Sequence, residues 1–236
     1  MRVYKFLKDG YLGFSRPVQV FFQCWLFILV VLVSTLIYSC LQVLLAATMR
    51  FVWTNTNNLI LTTLVGFVII ALIYVGIVPF INQHQYPRAK SDICKWSFWL
   101  ETAGWLVFVK VFQALLASAT PTHVNTTNQE TINRIFYSGH VNEIFIILLG
   151  VLMAPLIEEF IYRWLAFRII TIPWLAYILG ALGFTLLHCP QSFIAFLIYL
   201  SMAIALETSF CRKGFWGSYA LHFLINLTAV IVMLKI

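Results

Sequence analysis

Several ionisable and amide side chains lie inside otherwise apolar stretches in the second half of the chain. Glu158 and Glu159 occur together in the sequence APLIEEFIYR, and His188 ends the sequence FTLLH. His222 and Asn226 begin and end the sequence HFLIN. A carboxylate can take a proton from water, an imidazole can carry it, and N–H groups can stabilise an oxyanion. Because charge is costly in hydrocarbon, such residues within apolar helices indicate a functional site.

The spacing around the glutamate pair gives its two members different surroundings. Adjacent residues of a helix point about 100° apart, so Glu158 and Glu159 cannot play one identical role. Arg163 follows Glu159 by four residues on the same helical face, which predicts an ion pair. Pro155, one turn upstream, should loosen the helix and free backbone groups. Glu158 is left to face a different part of the molecule.

The depths of these residues decide whether they can meet. His222 and Asn226 share one helical face and lie roughly 9 and 15 Å from the start of their apolar segment. Glu158 lies roughly 13 Å from the end of its own segment, so these three side chains can converge. His188 lies roughly 22 Å beyond Pro173. It reaches the others only if its segment tilts strongly or if residues 164–175 run in the membrane plane.

The composition predicts the elements that hold these residues. The chain has 236 residues, of which 62% are hydrophobic and 10% charged, whereas soluble domains carry about a quarter charged residues. A spanning helix needs about 20 mostly apolar residues. Apolar segments cover residues 18–48, 59–81, 97–119, 141–167, 173–189, 191–209 and 216–235. The sequence therefore predicts an all-α, polytopic transmembrane bundle of about seven (six to eight) spans.

The candidate site residues divide the chain into two parts. Residues 1–140 are predicted to form about three spans that end in a polar loop, 120–140. Residues 141–236 are predicted to form a catalytic core of about four spans, so that the catalytic helices lie in the C-terminal half.

The charge distribution excludes one class of function and suggests an orientation. The net charge is +7, but the basic residues are scattered between apolar runs and form no stripe that tracks phosphates, so nucleic acid is not an expected partner. Basic residues concentrate in alternate loops, which favours a cytoplasmic N-terminus and a lipid-embedded chain. The residues that carry this prediction are Arg2, Lys5, Lys8, Arg16, Arg88, Lys90, Lys95, Arg163, Arg168, Arg212 and Lys213. The five cysteines show no paired spacing and indicate neither disulfides nor a thiolate metal site.

Three motifs in order resemble the CPBP family of CAAX prenyl endopeptidases and bacteriocin-processing or self-immunity proteins, also called the Abi family. They are Glu158-Glu159-Phe-Ile-Tyr-Arg163, Phe184-Thr-Leu-Leu-His188 and His222-Phe-Leu-Ile-Asn226. The resemblance covers residues 155–226. Trp164 departs from the glycine that many relatives have at this position, so the local turn is expected to differ.

The resemblance implies hydrolysis of a peptide bond within the membrane, at a site open to the cytoplasm. It implies that Glu158 is the general base toward water and that His188 passes the proton to the leaving amine. His222 and Asn226 would then stabilise the oxyanion. Glu159, Arg163 and Phe184 would be supporting residues. The expected substrate is a short or lipidated peptide at the membrane, with a bacterial role in peptide processing or bacteriocin self-immunity.

Other interpretations of the same residues stay open. No cofactor is favoured, but zinc could bind Glu158, His188 and His222 and leave a position for water. A non-catalytic immunity or scaffold protein of the same fold is a second class of function. A transporter with buried proton-relay residues is a third, which the lack of an internal repeat disfavours.

Two further ionisable residues have simpler expectations. Lys110, in the middle of the third segment, is expected to find an acidic partner or to extend toward the membrane surface. Glu207 is expected at a membrane interface beside Arg212. His84, His123 and His140 fall in polar loops and are expected to be solvated.

Overall fold

The computed structural model describes residues 15–83, 93–118 and 127–234, and this part of the chain is helical with short connections and no strand. In chain order, the helices are α1 (Arg16–Thr56), α2 (Leu59–Gln83), α3 (Trp96–Ser118), α4 (Thr127–Phe136), α5 (His140–Ile169), α6 (Pro173–Leu187) and α7 (Phe193–Leu234). The predicted all-α architecture of an integral membrane protein is confirmed for these residues.

Five of these helices, α1, α2, α3, α5 and α7, are long and apolar enough to cross a bilayer. Helix α6 has only 15 residues, fewer than the about 20 that a perpendicular span needs. Each predicted apolar segment coincides with a helix or part of one, whereas the number of membrane crossings stays a prediction.

Helices α5 and α7 form the centre of the bundle. In their most apolar windows 61% and 56% of residues are buried, compared with 17%, 17% and 11% in α1, α2 and α3. The first three helices instead expose large apolar side chains, among them Leu36, Ile60 and Leu72. A surface of this kind is stable against lipid tails and not against water. The site therefore lies where the fewest side chains face lipid.

Helix α7 is divided at Gly214, whose backbone has φ 69° and ψ −166°. Only glycine adopts this conformation without strain, because any Cβ would clash with the backbone. Beside it, Arg212 Nε and Lys213 Nζ lie 2.5 and 3.5 Å from the Glu101 carboxylate, near the start of α3. The two arms of α7, residues 193–213 and 215–234, contain the sixth and seventh apolar segments of the sequence.

The two arms run in opposite directions along α3. Residues further along α3 contact earlier residues of the first arm and later residues of the second arm. They join Phe98 to Lys213 (2.6 Å), Gln113 to Ile198 (3.5 Å) and Lys110 to Ile225 (3.3 Å). A sharp turn at Gly214 is therefore what makes α7 a helical hairpin.

Helices α5 and α6 form a second antiparallel pair, joined by residues 170–172. Helix α5 continues to Ile169, so residues 164–169 belong to the same helix as Glu158. Counted from Ile169, Glu158 lies roughly 17 Å along α5, against roughly 22 Å for His188 from Pro173. The remaining difference of roughly 5 Å is within reach of the two side chains.

The predicted polar loop 120–140 contains the ten-residue helix α4, so its description as a loop is wrong for residues 127–136. His140 is the exposed first residue of α5 and contacts Glu143. Several residues of the predictions lie outside the described part of the chain: Arg2, Lys5, Lys8, His84, Arg88, Lys90 and His123.

Candidate active site

A cavity of about 570 Å³ opens between the helices, and the four residues predicted to be catalytic line it together. Glu158 comes from α5, His188 follows the end of α6, and His222 and Asn226 come from the second arm of α7. Residues separated by as many as 68 positions are thus brought to one cavity.

His222 lies between the two glutamates. Its Nδ1 is 2.7 Å from Glu159 Oε1, and its Nε2 is 3.8 Å from Glu158 Oε2. An ionised carboxylate only accepts hydrogen bonds, so Nδ1 carries a proton and donates it to Glu159. The Nε2 atom faces the cavity side, at a distance from Glu158 that is too long for a direct hydrogen bond. Glu159 therefore fixes the orientation of this imidazole.

His188 is oriented in the same way by the backbone. Its Nδ1 is 2.7 Å from the carbonyl oxygen of Phe184, which is an acceptor, so Nδ1 is the donor. In the neutral ring Nε2 is then the basic nitrogen. The imidazole is held between the Phe184 and Tyr199 rings, with both centroids 4.5 Å away.

Asn226 donates a hydrogen bond to a backbone carbonyl of α5 that lacks an N–H partner within that helix. Residues 148–153 form a π-helical turn in which the Ala154 N–H bonds to the Leu149 carbonyl, five residues back. The next donor in this pattern would be Pro155, which has no N–H. The Gly150 carbonyl instead accepts a 2.7 Å hydrogen bond from Asn226 Nδ2. The expectation that Pro155 frees a backbone group is confirmed.

Arg163 joins two buried carboxylates behind the cavity. Its Nη1 donates to Glu159 Oε1 at 3.1 Å, and its Nε is 3.1 Å from Glu207 Oε1. All three side chains are fully buried. The predicted ion pair with Glu159 is confirmed, but the interfacial position expected for Glu207 is wrong. Arg163 is also wrongly counted among the loop charges, since its side chain is fully buried inside the bundle.

Phe184 fills the space between these charged groups. Its ring lies under the Arg163 guanidinium, with the carbon atom Cζ 4.5 Å from the ring centroid. The same ring meets those of His188 at 4.5 Å and His222 at 5.6 Å. Phe184 is fully buried, so it keeps both imidazoles and the guanidinium in place by packing.

Gly180 allows α6 to approach Glu207 closely. A Cβ at this position would fall 2.5 Å from Glu207 Oε1 and would also collide with the Tyr162 carbonyl. We expect Gly180→Ala to destabilise the protein by about 1–3 kcal/mol through overpacking and to displace Glu207 from Arg163. Thermal unfolding in detergent measures the effect. Gly104→Ala is the matched control, because a Cβ there meets no atom within 4 Å; equal unfolding temperatures for the two variants would contradict this packing.

The three residues of the zinc alternative share one cavity. Glu158, His188 and His222 all line the cavity. Within the described ranges, however, no three side chains of His, Cys, Asp or Glu converge closely enough to hold a metal ion.

Comparison with known proteins shows what the segment that contains this site is similar to. Residues 140–228 match the family model described as type II CAAX prenyl endopeptidase Rce1-like. The resemblance to CAAX endopeptidases is confirmed. The matched segment covers α5, α6 and most of α7, and it contains all three motifs. The matched segment is similar to a protease family, and the apolar helices of the described residues are those of an integral membrane protein.

A bacterial relative matches a similar share of the chain. The UPF0177 protein YbdI of Lactococcus lactis subsp. lactis (strain IL1403) is 34% identical over 105 residues, which is 44% of this chain. The match spans 56% of the relative, so this chain covers little more than half of that protein's length. No solved structure matches significantly.

The cavity also has walls that the motifs did not indicate. Helices α1, α3 and α4 lie outside the family match, yet they contribute Tyr38, Gln42, Lys110, Gln113, Ile132 and Ile135. The sequence signal for this was weak, since a single polar residue per turn in an apolar helix is compatible with many arrangements.

Proposed function

We propose that this protein is an intramembrane endopeptidase in which a glutamate and a histidine activate water. The observation that carries the proposal is that Glu158, His188, His222 and Asn226 line one cavity inside the bundle. The match of residues 140–228 to a family of prenyl endopeptidases supports peptide hydrolysis as the reaction class.

Glu158 begins the reaction as the general base. Its carboxylate removes a proton from water while the water oxygen bonds to the carbonyl carbon of the peptide. The tetrahedral intermediate then collapses, and the carbon–nitrogen bond breaks. The proton passes from Glu158 through Nε2 of His188 to the leaving nitrogen. The products are a new carboxyl group and a new amine, which together contain the atoms of the peptide and one water.

His222 and Asn226 stabilise the oxyanion. Because Nδ1 of His222 already donates to Glu159, donation from Nε2 to the oxyanion uses the imidazolium form of the ring. Asn226 Nδ2 gives one hydrogen to the Gly150 carbonyl and has a second to offer. One such donor contributes roughly 3–4 kcal/mol to transition-state stabilisation.

The substrate that we propose is a short or lipidated peptide at the bacterial cell membrane. The apolar walls of the cavity and its position within the bundle suit such a chain. A role in peptide processing or bacteriocin self-immunity, with the N-terminus and the site on the cytoplasmic side, agrees with a relative from a lactic-acid bacterium and with the distribution of basic loop residues.

The proposal is tested by hydrolysis of fluorogenic peptides, with and without a lipid tail, by the purified protein in detergent. We expect His188→Ala to lower the rate at least about 100-fold, because the proton relay is lost. The matched control is His140→Ala, which removes an exposed imidazole at the start of α5. A folded His188→Ala variant that keeps the wild-type rate would contradict the mechanism.

A chelator separates the two versions of the chemistry. Water activation by Glu158 and His188 predicts that 1,10-phenanthroline leaves the rate unchanged. If the chelator abolishes hydrolysis and added zinc restores it, the zinc-dependent alternative is correct. A folded wild-type protein that cleaves no peptide of the panel would favour a non-catalytic immunity or scaffold protein.

A further inference from the structure

The cations inside the bundle differ in their partners. Lys110 lines the cavity with its Nζ 3.3 Å from the Ile225 carbonyl oxygen, and it has no acidic partner among the described residues. The expectations of an acidic partner or of extension to the surface are both wrong for this part of the chain. Arg163, by contrast, lies between two fully buried carboxylates, Glu159 and Glu207. A second buried carboxylate is costly, which makes Glu207 a functional candidate.

Three successive contacts connect Glu207 to the imidazole of His222. Glu207 Oε1 lies 3.1 Å from Arg163 Nε. Arg163 Nη1 then donates to Glu159 Oε1 at 3.1 Å. The same Glu159 oxygen atom lies 2.7 Å from His222 Nδ1. Because one oxygen atom binds both the guanidinium and the imidazole, a displaced guanidinium also displaces the acceptor that holds His222.

The two carboxylates contact different nitrogen atoms of the guanidinium. This group is planar and carries its donors in a fixed geometry, so contacts at Nε and Nη1 together fix both its position and its rotation. The Phe184 ring, with its centroid 4.5 Å from Arg163 Cζ, limits movement out of the plane. Without Glu207, the contact with Glu159 would be the one ion pair left to Arg163 among the described residues, and the guanidinium could rotate about it.

Glu207 acts from outside the cavity. It is absent from the described residues that line the cavity, and its side chain is fully buried in the bundle. A Cβ at Gly180 of α6 would fall 2.5 Å from Glu207 Oε1, so the carboxylate cannot move away from Arg163 in that direction. The contacts described above therefore connect it to the reacting atoms through Arg163, and it belongs to none of the three sequence motifs.

We propose that Glu207 is a positioning residue for the oxyanion donor His222. It fixes Arg163, which fixes the Glu159 oxygen atom that binds Nδ1 of His222, and so determines where Nε2 lies in the cavity. This inference rests on the proposed endopeptidase function and adds to it a residue outside the motifs. A displacement of about 1 Å in a reacting group can cost about 100-fold in rate, so this distant contact can control turnover.

The kinetic test is Glu207→Gln, which keeps the shape of the side chain and removes its charge. We expect kcat for a fluorogenic peptide to fall about 10- to 100-fold with KM unchanged, because the oxyanion contact forms in the transition state. The matched control is Thr208→Val. It removes a different contact between α6 and α7, in which the Thr208 and Tyr177 hydroxyl oxygens are 2.9 Å apart, and it should keep the wild-type kcat. An equal loss of kcat in both variants would assign Glu207 a structural role only.

Double-mutant cycles identify the residue through which Glu207 acts. In a His222→Ala background, Glu207→Gln should change kcat by less than about twofold, because the imidazole that it positions is gone. In an Asn226→Ala background it should still lower kcat about 10- to 100-fold, since Asn226 is held separately by the Gly150 carbonyl. The same factor in both backgrounds would refute positioning through His222.

The imidazole also provides a readout that does not depend on turnover. In protein with isotope-labelled histidines, the nuclear magnetic resonance signal of the Nδ1 proton is assigned to His222 by its loss in His222→Ala. Glu207→Gln should shift this signal. Gly180→Ala should do the same, because it displaces the carboxylate without removing it, and it serves if Glu207→Gln does not fold. Thr208→Val should leave the signal unchanged.

The two readouts separate failure of this inference from failure of the proposed function. An unchanged signal together with an unchanged kcat in folded Glu207→Gln refutes the positioning role, while the endopeptidase proposal stands. A shifted signal in a protein that hydrolyses no peptide supports the connection from Glu207 to His222 and refutes the endopeptidase.

Discussion

Glu158→Gln is expected to lower kcat by about 10²–10⁴-fold, because the amide cannot take a proton from water. Glutamine preserves the shape of the side chain and the polar contact with the cavity. Nε2 of His222 lies 3.8 Å from Glu158 Oε2, and 15% of the Glu158 side chain is exposed. We therefore expect the variant to fold with the stability of the wild-type protein. The rate of fluorogenic peptide hydrolysis and the thermal unfolding curve measure the two quantities.

The matched control for this prediction is Glu143→Gln on the same helix. Glu143 lies in the first turn of α5 and contacts only the exposed His140 among the described residues. It should retain the wild-type rate, since it lies away from the cavity. Hydrolysis by Glu158→Gln within a factor of two of this control would rule out Glu158 as the general base.

The part of the site that follows helical geometry could be predicted from the sequence. The Arg163–Glu159 contact and the common face of His222 and Asn226 depend only on a spacing of four residues. The carbonyl freed near Pro155 depends only on the missing N–H of proline. Local rules of this kind hold whatever surrounds the helix, which is why they were reliable here.

Contacts between distant segments could not be predicted in this way. Glu207 lies 44 residues after Arg163, and nothing in its local sequence distinguishes an interfacial carboxylate from a buried one. Its burial follows from the close approach of α6 at Gly180. The prediction of an interfacial position for Glu207 depended on Arg212, five residues later, as its neighbour. In the structure Arg212 contacts Glu101 instead.

The apparent depth problem of His188 came from the boundary of one helix. An apolar segment that ends at residue 167 underestimates the length of α5, which continues to Ile169. Helix ends are the least certain feature of a sequence pattern, and two residues correspond to roughly 3 Å of depth. Similarly, the hairpin of α7 depends on one glycine, Gly214, whose backbone conformation no hydrophobic pattern indicates.

Arg163→Met is expected to destabilise the protein by about 3–5 kcal/mol, since it leaves buried carboxylates without their cation. Methionine occupies a similar volume and keeps an apolar contact with the Phe184 ring, so the effect isolates the charge. Glu159 would keep only His222 as a partner, and Glu207 would lose its ion pair. The midpoint of unfolding in a denaturing detergent measures the change.

Arg168→Met is the control from the same helix. Arg168 is exposed and lies over the Trp164 ring, and we expect its replacement to change stability by less than about 1 kcal/mol. A similar loss in both variants would show that any arginine in this part of α5 matters equally.

A second substitution tests the origin of the Arg163 effect. Because the cost is assigned to unpaired carboxylates, Glu207→Gln in the Arg163→Met background should recover part of the lost stability. In the wild-type background the same Glu207→Gln change removes a partner from Arg163 and should be destabilising. The sign of the Glu207 effect therefore reverses with the charge at position 163, a result that loss of packing volume alone would not produce.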